Sequence, residues 1–466
     1  MTKSPSDGKH EVPEGIKPQI GDEIQESNQM WPDNSMFRLR QRWSSSNIAT
    51  LIRKIKDRGF FHIFFADVIN KFVSFFTVFA LVRILSKQTY GEWSYALNII
   101  SIILLFQGMG SVPALLQYCS SAQSTAKIHS YFKFGIRVGL ISNMILAAVT
   151  FYIACFVPLP VEGSNRILLY LSLLPLITIV FESILMYLRS TFQNKSFSFL
   201  SVTNTVLFFF GSVIGGLLFN VIGVVLGRYF AYSACIGGAI KSIKSELQDI
   251  IKAKELEYTE KKDFLKFGII AMLTNSISSM LYLIDIQLIG IFSKNAEMVA
   301  SYQTATMIPF ALNFIPLAIM TFTYPYFAKN GNDLNWVITS YRSLLKYLTP
   351  LNLAISGGLF ILAPVIVPLT FGTQYTDSVV PFRILSLGYF IAGTFRIPAG
   401  NILASIKLVH INLFNSIVCG ILNIILDILL IPIYGGIGAA LTTVSIFVVS
   451  SIISNYQFVR LAKVMK

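Results

Sequence analysis

After Gly59 the chain is a near-continuous series of apolar blocks, and that series constrains the fold more than any motif does. A helix needs roughly 20 apolar residues to cross a bilayer core, so twelve such helices take about 240. The stretch beyond Gly59 is long enough to hold them. Hydrophobic residues are 54% of the 466 and charged residues only 13%, with a mean hydropathy of +0.64. A soluble domain carries about a quarter charged residues. The pattern excludes a water-soluble globule and predicts an all-α polytopic membrane protein.

The blocks predict twelve transmembrane helices in two sets of six. The first set covers 60–84, 93–117, 134–158, 166–188, 197–218 and 221–240. The second covers 265–291, 299–323, 344–369, 379–404, 408–431 and 436–460. Lys241–Asp263 is the only long charged stretch inside the apolar body. The expected organisation is a tail over 1–58, a six-helix bundle over 59–240, a linker over 241–263 and a second bundle over 264–466. Ser86-Lys87 followed by Ser94-Tyr95 recurs as Ser293-Lys294 and Ser301-Tyr302, a faint repeat at the exit of the first helix of each set.

Charge sets the expected orientation. The net charge of +14, from 37 Lys and Arg against 23 Asp and Glu, is what cytoplasmic loops of membrane proteins accumulate. Even-numbered loops hold Lys127, Lys133, Arg189, Lys195, the Lys241–Lys262 stretch, Lys329, Arg342, Lys346 and Lys407; odd-numbered ones hold Lys87, Arg166 and Lys294. Both termini are therefore expected in the cytoplasm. Residues 1–35 carry seven acidic and three basic side chains, with nothing to bury, and are expected to be disordered. No signal peptide is expected in this polar start. From Arg38 to Arg58 seven cations oppose Asp57 alone, a lead-in suited to anionic membrane lipids rather than to nucleic acid.

Ionisable residues at membrane depth are costly and mark cavities or partners. This chain has Asp67 and Lys71, four apart and so able to neutralise each other, then Glu182, Arg228, Asp285, Arg383, Arg396 and Asp427. Asn70, Asn275, Asn313, Asn401, Asn412, Asn415 and Asn423 add hydrogen-bonding groups. Arg383 and Arg228 sit near helix ends, where snorkelling is the competing reading. Arg396 and Asp285 lie deep, which favours a water-filled cavity. Pro175, Pro309, Pro316, Pro364, Pro368 and Pro398 are expected helix breaks. The four cysteines form no CxxC or Cys/His cluster, so neither a metal nor a disulfide framework is expected. Walker A, HExxH and GxSxG signatures are absent, and neither a cofactor nor enzymatic catalysis is expected.

Three segments carry a family resemblance. Leu81 to Ser94, with Arg83-Ile84-Leu85 and Tyr90-Gly91, resembles the first-loop pattern of the oligosaccharide flippases. Phe371-Gly372-Thr373-Gln374-Tyr375 leading to Arg383-Ile384-Leu385-Ser386 resembles their F-G-x-x-Y…R-I-L-S segment. Asn423 to Ala440 resembles their N-x-x-L-x-x-x-L-I-P-x-Y-G-x-x-G-A-A signature, with Asp427 where a second Asn is commoner. The chain thus resembles the polysaccharide transporter branch of the multidrug/oligosaccharidyl-lipid/polysaccharide exporter superfamily. That resemblance implies two bundles in a V around a cation-rich cavity and alternating access in a bacterial inner membrane. The implied cargo is an undecaprenyl-pyrophosphate-linked oligosaccharide for O-antigen, capsule or exopolysaccharide, coupled to a proton or sodium, with a glycan polymerase or assembly protein as a partner. On that reading Lys71, Arg228, Arg383, Arg396, Asn70 and Asn275 are candidates for the pyrophosphate and sugar path. Asp67, Glu182 and Asp285 are candidates for ion coupling.

Three alternatives compete. A drug exporter of the same superfamily would favour an acidic cavity, whereas the deep charges here are mixed. A lipid II flippase usually carries extra helices. A membrane-embedded glycan polymerase or ligase would need a large outer loop, and the longest here is under about ten residues.

Overall fold

The computed structural model describes residues 60–464, apart from 243 and 407. The acidic tail, the basic lead-in and Lys407 lie outside these described residues. Among the described residues there is no strand. The helices are α1 Phe60–Ile84, α2 Lys87–Leu104, α3 Ser111–Ser121, α4 Thr125–Phe156, α5 Ser164–Tyr170, α6 Leu174–Ser190, α7 Asn194–Ser242 and α8 Lys244–Lys252. After the linker come α9 Tyr258–Ser293, α10 Ala296–Ala311, α11 Phe314–Lys329 and α12 Leu334–Phe371. The last four are α13 Val379–Ile391, α14 Ile397–Ser405, α15 Val409–Tyr434 and α16 Gly436–Val464.

Among the described residues nine helical runs are long and apolar enough to cross a membrane, or ten if the bent pair α5–α6 is one span. The twelve predicted segments differ from this count for local reasons. The segments 197–218 and 221–240 form the single run α7, which reverses at Phe219 and Asn220, where Asn220 has φ of 54°. A Cβ on Gly215 would meet the Gly223 carbonyl at 2.2 Å, so the two limbs pack backbone to backbone, as small residues allow in lipid. α9 runs unbroken over Tyr258–Ser293, with polar first turns ahead of an apolar body that includes the short apolar stretch Leu283–Ser293.

Helix ends follow the sequence. Ser86, Ser124, Asn295 and Asp333 cap α2, α4, α10 and α12 with side-chain oxygens that accept from the first free backbone N–H groups. Pro175 and Pro398 open α6 and α14, where a missing N–H costs nothing. Pro364 and Pro368 stay inside α12, and Pro309 inside α10. A sharp break falls instead at Leu105–Gly110, with no proline present. Gly108, Met109 and Gly110 all take positive φ there. Asn143, fully buried, steadies the break: its Oδ1 accepts from Gly108 N at 2.7 Å and its Nδ2 donates to the Pro175 carbonyl at 2.6 Å.

The core is asymmetric from end to end. One continuous apolar cluster joins the helices before the linker to those after it, through Leu81, Tyr90, Trp93 and Tyr95 against Val299, Tyr302, Phe371 and Phe382. These residues lie toward the end that carries loops 85–86, 294–295 and 372–378, called here the gate end. A Cβ on Gly91 would fall 1.8 Å from the Ala296 carbonyl, so only glycine permits this approach. At the far end the apolar residues separate into two clusters. Leu115, Tyr131, Tyr187 and Phe264 make one; Phe327, Tyr341, Ile402 and Phe458 make the other.

Polar contacts close the gate end as well. Lys87 Nζ donates to both carboxylate oxygens of Asp377 at 2.8 Å, and Ser301 Oγ donates to Asp377 Oδ2 at 2.7 Å. The Arg83 guanidinium donates to the carbonyls of Leu369 and Thr370, the last turn of α12. The quoted motifs Arg83–Gly91 and Phe371–Tyr375 thus lie at one interface.

The linker is clipped to α4 at the far end. Lys133 Nζ donates to the carbonyls of Ile251 and Ala253, both at 2.8 Å, capping the end of α8. Glu255 accepts from Arg137 at 2.6 Å and lies within 3.9 Å of Lys133 and 3.6 Å of Lys261. The Arg137 guanidinium, aided by the two lysines, holds the Glu255 carboxyl below its ordinary value.

Candidate functional site

A cavity of about 430 Å³ lies between the two helix sets, next to the gate end. α1 presents Ser74, Thr77, Val78 and Leu81, and α2 presents Tyr90, Trp93, Ser94, Asn98 and Ser101, each series at helical spacing on one face. Asn204, Thr205, Phe208 and Arg228 come from the two limbs of α7; Asp285 comes from α9; Tyr302, Gln303, Thr306 and Phe310 come from α10. The wall is mostly neutral hydroxyls, amides and aromatic faces. Such a surface donates to and accepts from hydroxyl groups and stacks on apolar ring faces.

Arg228 is the cation of this wall. Its guanidinium stacks 4.1 Å from the Phe208 ring centroid and 5.6 Å from that of Tyr232, and no carboxylate comes within ion-pair distance among the described residues. Stacking fixes the plane of the fork while leaving its N–H donors for an oxyanion. Lys71 and Asp67 stand on the same face of α1 as Ser74 and Thr77, about one and two turns farther from the gate end, and both are exposed. They do not neutralise each other as their spacing suggested, because no ion pair forms between them. Asn70 turns toward α7, where its Nδ2 donates to Ser201 Oγ at 2.7 Å.

Asp285 reaches from the cavity wall into a buried polar cluster. Its Oδ2 accepts from Tyr302 Oη at 2.6 Å and from Thr443 Oγ1 at 2.7 Å, and its Oδ1 accepts from Asn423 Nδ2 at 3.2 Å. Asp427, one turn beyond Asn423 on α15, is fully buried beside it, and the two carboxyls interact. Among the described residues no N–H donor reaches either Asp427 oxygen; the carboxyl neighbours the Thr442 hydroxyl and the Asp285 carboxyl, and Asn423 Oδ1 is likewise left without a donor. No Lys, Arg or His is paired with either carboxylate. Two buried carboxyls among hydroxyl and amide groups, with no cationic side chain to neutralise them, suit a hard monovalent cation or a shared proton, since both cannot stay charged unaided. Among the described residues no three His, Cys, Asp or Glu side chains gather as a metal site.

A second cavity of about 290 Å³ adjoins the Leu105–Gly110 break. It brings Glu182 of α6 and Asn275 of α9 together, with Gln107 and Thr178. Arg383 and Arg396 line neither cavity. Arg383 donates from Nε to the Phe360 carbonyl at 3.1 Å. Arg396 ends a π-helical turn at 392–396, donates to Ser450 Oγ at 3.3 Å and lies 5.0 Å from the Phe447 centroid. Of the buried cluster, Thr443 was not singled out by sequence and Tyr302 entered only through the faint Ser301-Tyr302 repeat. The i, i+4 spacing of Asn423 and Asp427 was the available signal, because it puts both on one helix face.

The fold has known counterparts. The lipid II flippase MurJ in an inward closed conformation superposes with a TM-score of 0.69 at 16% identity, over 85% of this chain and 87% of that one. An inward-facing multidrug resistance MATE family transporter of the MOP superfamily also gives 0.69, at 14% identity over 84% and 95%. A MOP superfamily transporter from Pyrococcus furiosus gives 0.57, at 13% identity over 88% and 96%. No curated protein matches the chain in sequence. A family profile described as polysaccharide biosynthesis protein matches residues 80–381. With well over half of its length matched, this multi-pass membrane protein belongs to the polysaccharide biosynthesis protein family.

Proposed function

We propose that the protein is a flippase for undecaprenyl-pyrophosphate-linked oligosaccharides. It acts by alternating access in the bacterial cytoplasmic membrane, for a surface polysaccharide. The loop charges put both termini in the cytoplasm and the gate end on the outer side. The observation that carries the reading is Arg228: a stacked, unpaired guanidinium on a wall of neutral hydroxyl and amide groups. A pyrophosphate–sugar headgroup cannot enter hydrocarbon unaided, since each buried charge or hydroxyl costs several kcal/mol, about 2–7 for a hydroxyl. Arg228, with Lys71 nearer the open end of the path, offsets the pyrophosphate charge. The hydroxyls, amides and rings of α1, α2 and α10 receive the sugars. The Asp285–Asp427 cluster takes the coupling cation, a proton or sodium.

The presence of Asp285 on the wall favours a second reading, export of a lipophilic cation. Binding of undecaprenyl pyrophosphate and of a cationic dye to the purified protein in nanodiscs separates the two. Hydrogen bonds to a charged partner contribute about 1.5–3 kcal/mol, so Arg228→Ala is expected to weaken pyrophosphate binding roughly 10- to 100-fold. Arg228→Lys is expected to restore only part, because an ammonium neither stacks nor binds bidentately. Dye binding without pyrophosphate binding in the unmodified protein would put the exporter first.

A further inference from the structure

One turn of α10 touches all three features described above. The Tyr302 ring lines the central cavity. Its hydroxyl donates to Asp285 Oδ2 at 2.6 Å and lies 3.2 Å from Thr443 Oγ1. The adjacent Ser301 donates to Asp377 Oδ2 at 2.7 Å, the carboxylate that holds Lys87 across the gate end. Thr304 Oγ1 lies 3.1 Å from Ser378 Oγ, fastening the same turn to the same loop. Tyr302 is 1% exposed, so its ring cannot swing aside without moving the backbone that carries Ser301.

Resting on the cation-coupled reading above, we propose that Tyr302 is a positioning residue that ties cation occupancy of the Asp285–Asp427 site to the Lys87–Asp377 latch. A bare Asp285 carboxylate accepts both the Tyr302 and Thr443 hydroxyls on one oxygen. A sodium ion bound there competes for the same lone pairs, and a proton on that oxygen turns an acceptor into a donor. Either way the O–H donation from Tyr302 weakens. The displacement passes along the rigid helical turn to Ser301, and Asp377 loses one of its donors. The charged and titratable groups around Asp285 are few. Asp427 faces it from α15, Tyr302 faces it from α10, and Arg228 lies across the cavity on α7. α16 offers the hydroxyls of Thr442 and Thr443; α2 offers the Asn98 amide, which donates to the Leu283 carbonyl at 3.0 Å, and presents Tyr90 to the same cavity. The carboxyl pair is therefore the acidic centre of this region, with Tyr302 bonded to it and Tyr90 elsewhere on the same wall.

The test uses the full chain in nanodiscs, with spin labels at Gln88→Cys and Gln374→Cys on either side of the gate end. Cys155, the exposed cysteine among the four, is replaced by serine. Distances are read at acid and alkaline pH without sodium, and with and without sodium at fixed pH. The two series tell which cation acts. In the otherwise unmodified protein one series is expected to shift the distance distribution. Tyr302→Phe keeps the ring and is expected to abolish that shift. Thr443→Val also removes a donor to Asp285, but it is not on α10; the shift is expected to persist there with a displaced midpoint. Should Tyr302→Phe fail to fold, Ser301→Ala cuts the other end of the tie and is expected to lose the shift likewise. A full shift in Tyr302→Phe or in Ser301→Ala overturns the proposal. No shift in the parent protein under either cation overturns the cation-coupled reading, and this inference with it.

Discussion

Asp427 sits where burial of a carboxyl opposes stability. Its carboxyl is fully buried, receives no N–H donor and faces a second carboxyl. An unsatisfied buried polar group costs about 1–3 kcal/mol. Asp427→Asn supplies two N–H donors of nearly the same shape. We expect it to raise the thermal unfolding temperature in detergent and to abolish cation-dependent transport; a lower unfolding temperature would count against the coupling role. Sequence pointed to Asp285 through its depth, and to Arg228 only as an ambiguous residue near a helix end. It ranked Arg396 above Arg228 because distance from a helix end is legible in a sequence and direction around the helix axis is not. The π-helical turn at 392–396 rotates Arg396 toward Ser450 and Phe447. Nothing in the residues foretells that turn.

At the scale of elements, length and apolar content made nearly every helix legible, as hydrocarbon requires each backbone N–H and C=O to be paired inside its own segment. The breaks were less so. Proline was the expected marker, yet Pro309, Pro364 and Pro368 stay inside helices while Gly108 and Gly110 carry the bend at 105–110. The linker was read as a charged connector, and its partners on α4 were not legible because they lie more than a hundred residues away. Its clip carries a pH dependence of definite sign. Glu255 is held below its ordinary value, so its contribution is fully present at neutral pH and is lost as pH falls through the acid range below about 4.5. Amide exchange of α8 and residues 253–257 is expected to accelerate on acidification through that range. In Glu255→Gln exchange should be fast at neutral pH and nearly insensitive to acid.

For the whole molecule, the two helix sets share one core at the gate end, while at the far end two smaller cores form, one of which seats Phe264 of α9 against α3, α4 and α6. The latch at the joined end is half in water: the Lys87 side chain is 12% exposed and that of Asp377 55%. Exposed ion pairs contribute about 0–1 kcal/mol, so in the proposed alternating-access cycle the pair would tune the balance of open and closed gate without fixing it. Lys87→Ala and Asp377→Asn are each expected to raise the open population about two- to fivefold, read as the rate at which a cysteine at Ser94 reacts with a membrane-impermeant thiol reagent. The charge exchange Lys87→Asp with Asp377→Lys should bring the rate back toward that of the parent. Equal rates in all four proteins would mean that the apolar contacts alone hold the gate.

Those apolar contacts leave a thermal signature. To open at the joined end, the protein must part Trp93 and Tyr95 from the helices that cover them, wetting faces now sealed. Each Å² of apolar surface given to water raises the heat capacity by about 0.45 cal/mol/K. Several hundred Å² would add on the order of 0.1–0.2 kcal/mol/K to the opening step. A plot of the logarithm of turnover against reciprocal temperature should therefore bend where gate opening limits the cycle. Rate-limiting release at the far end, where the two cores already stand apart, should leave that plot straight.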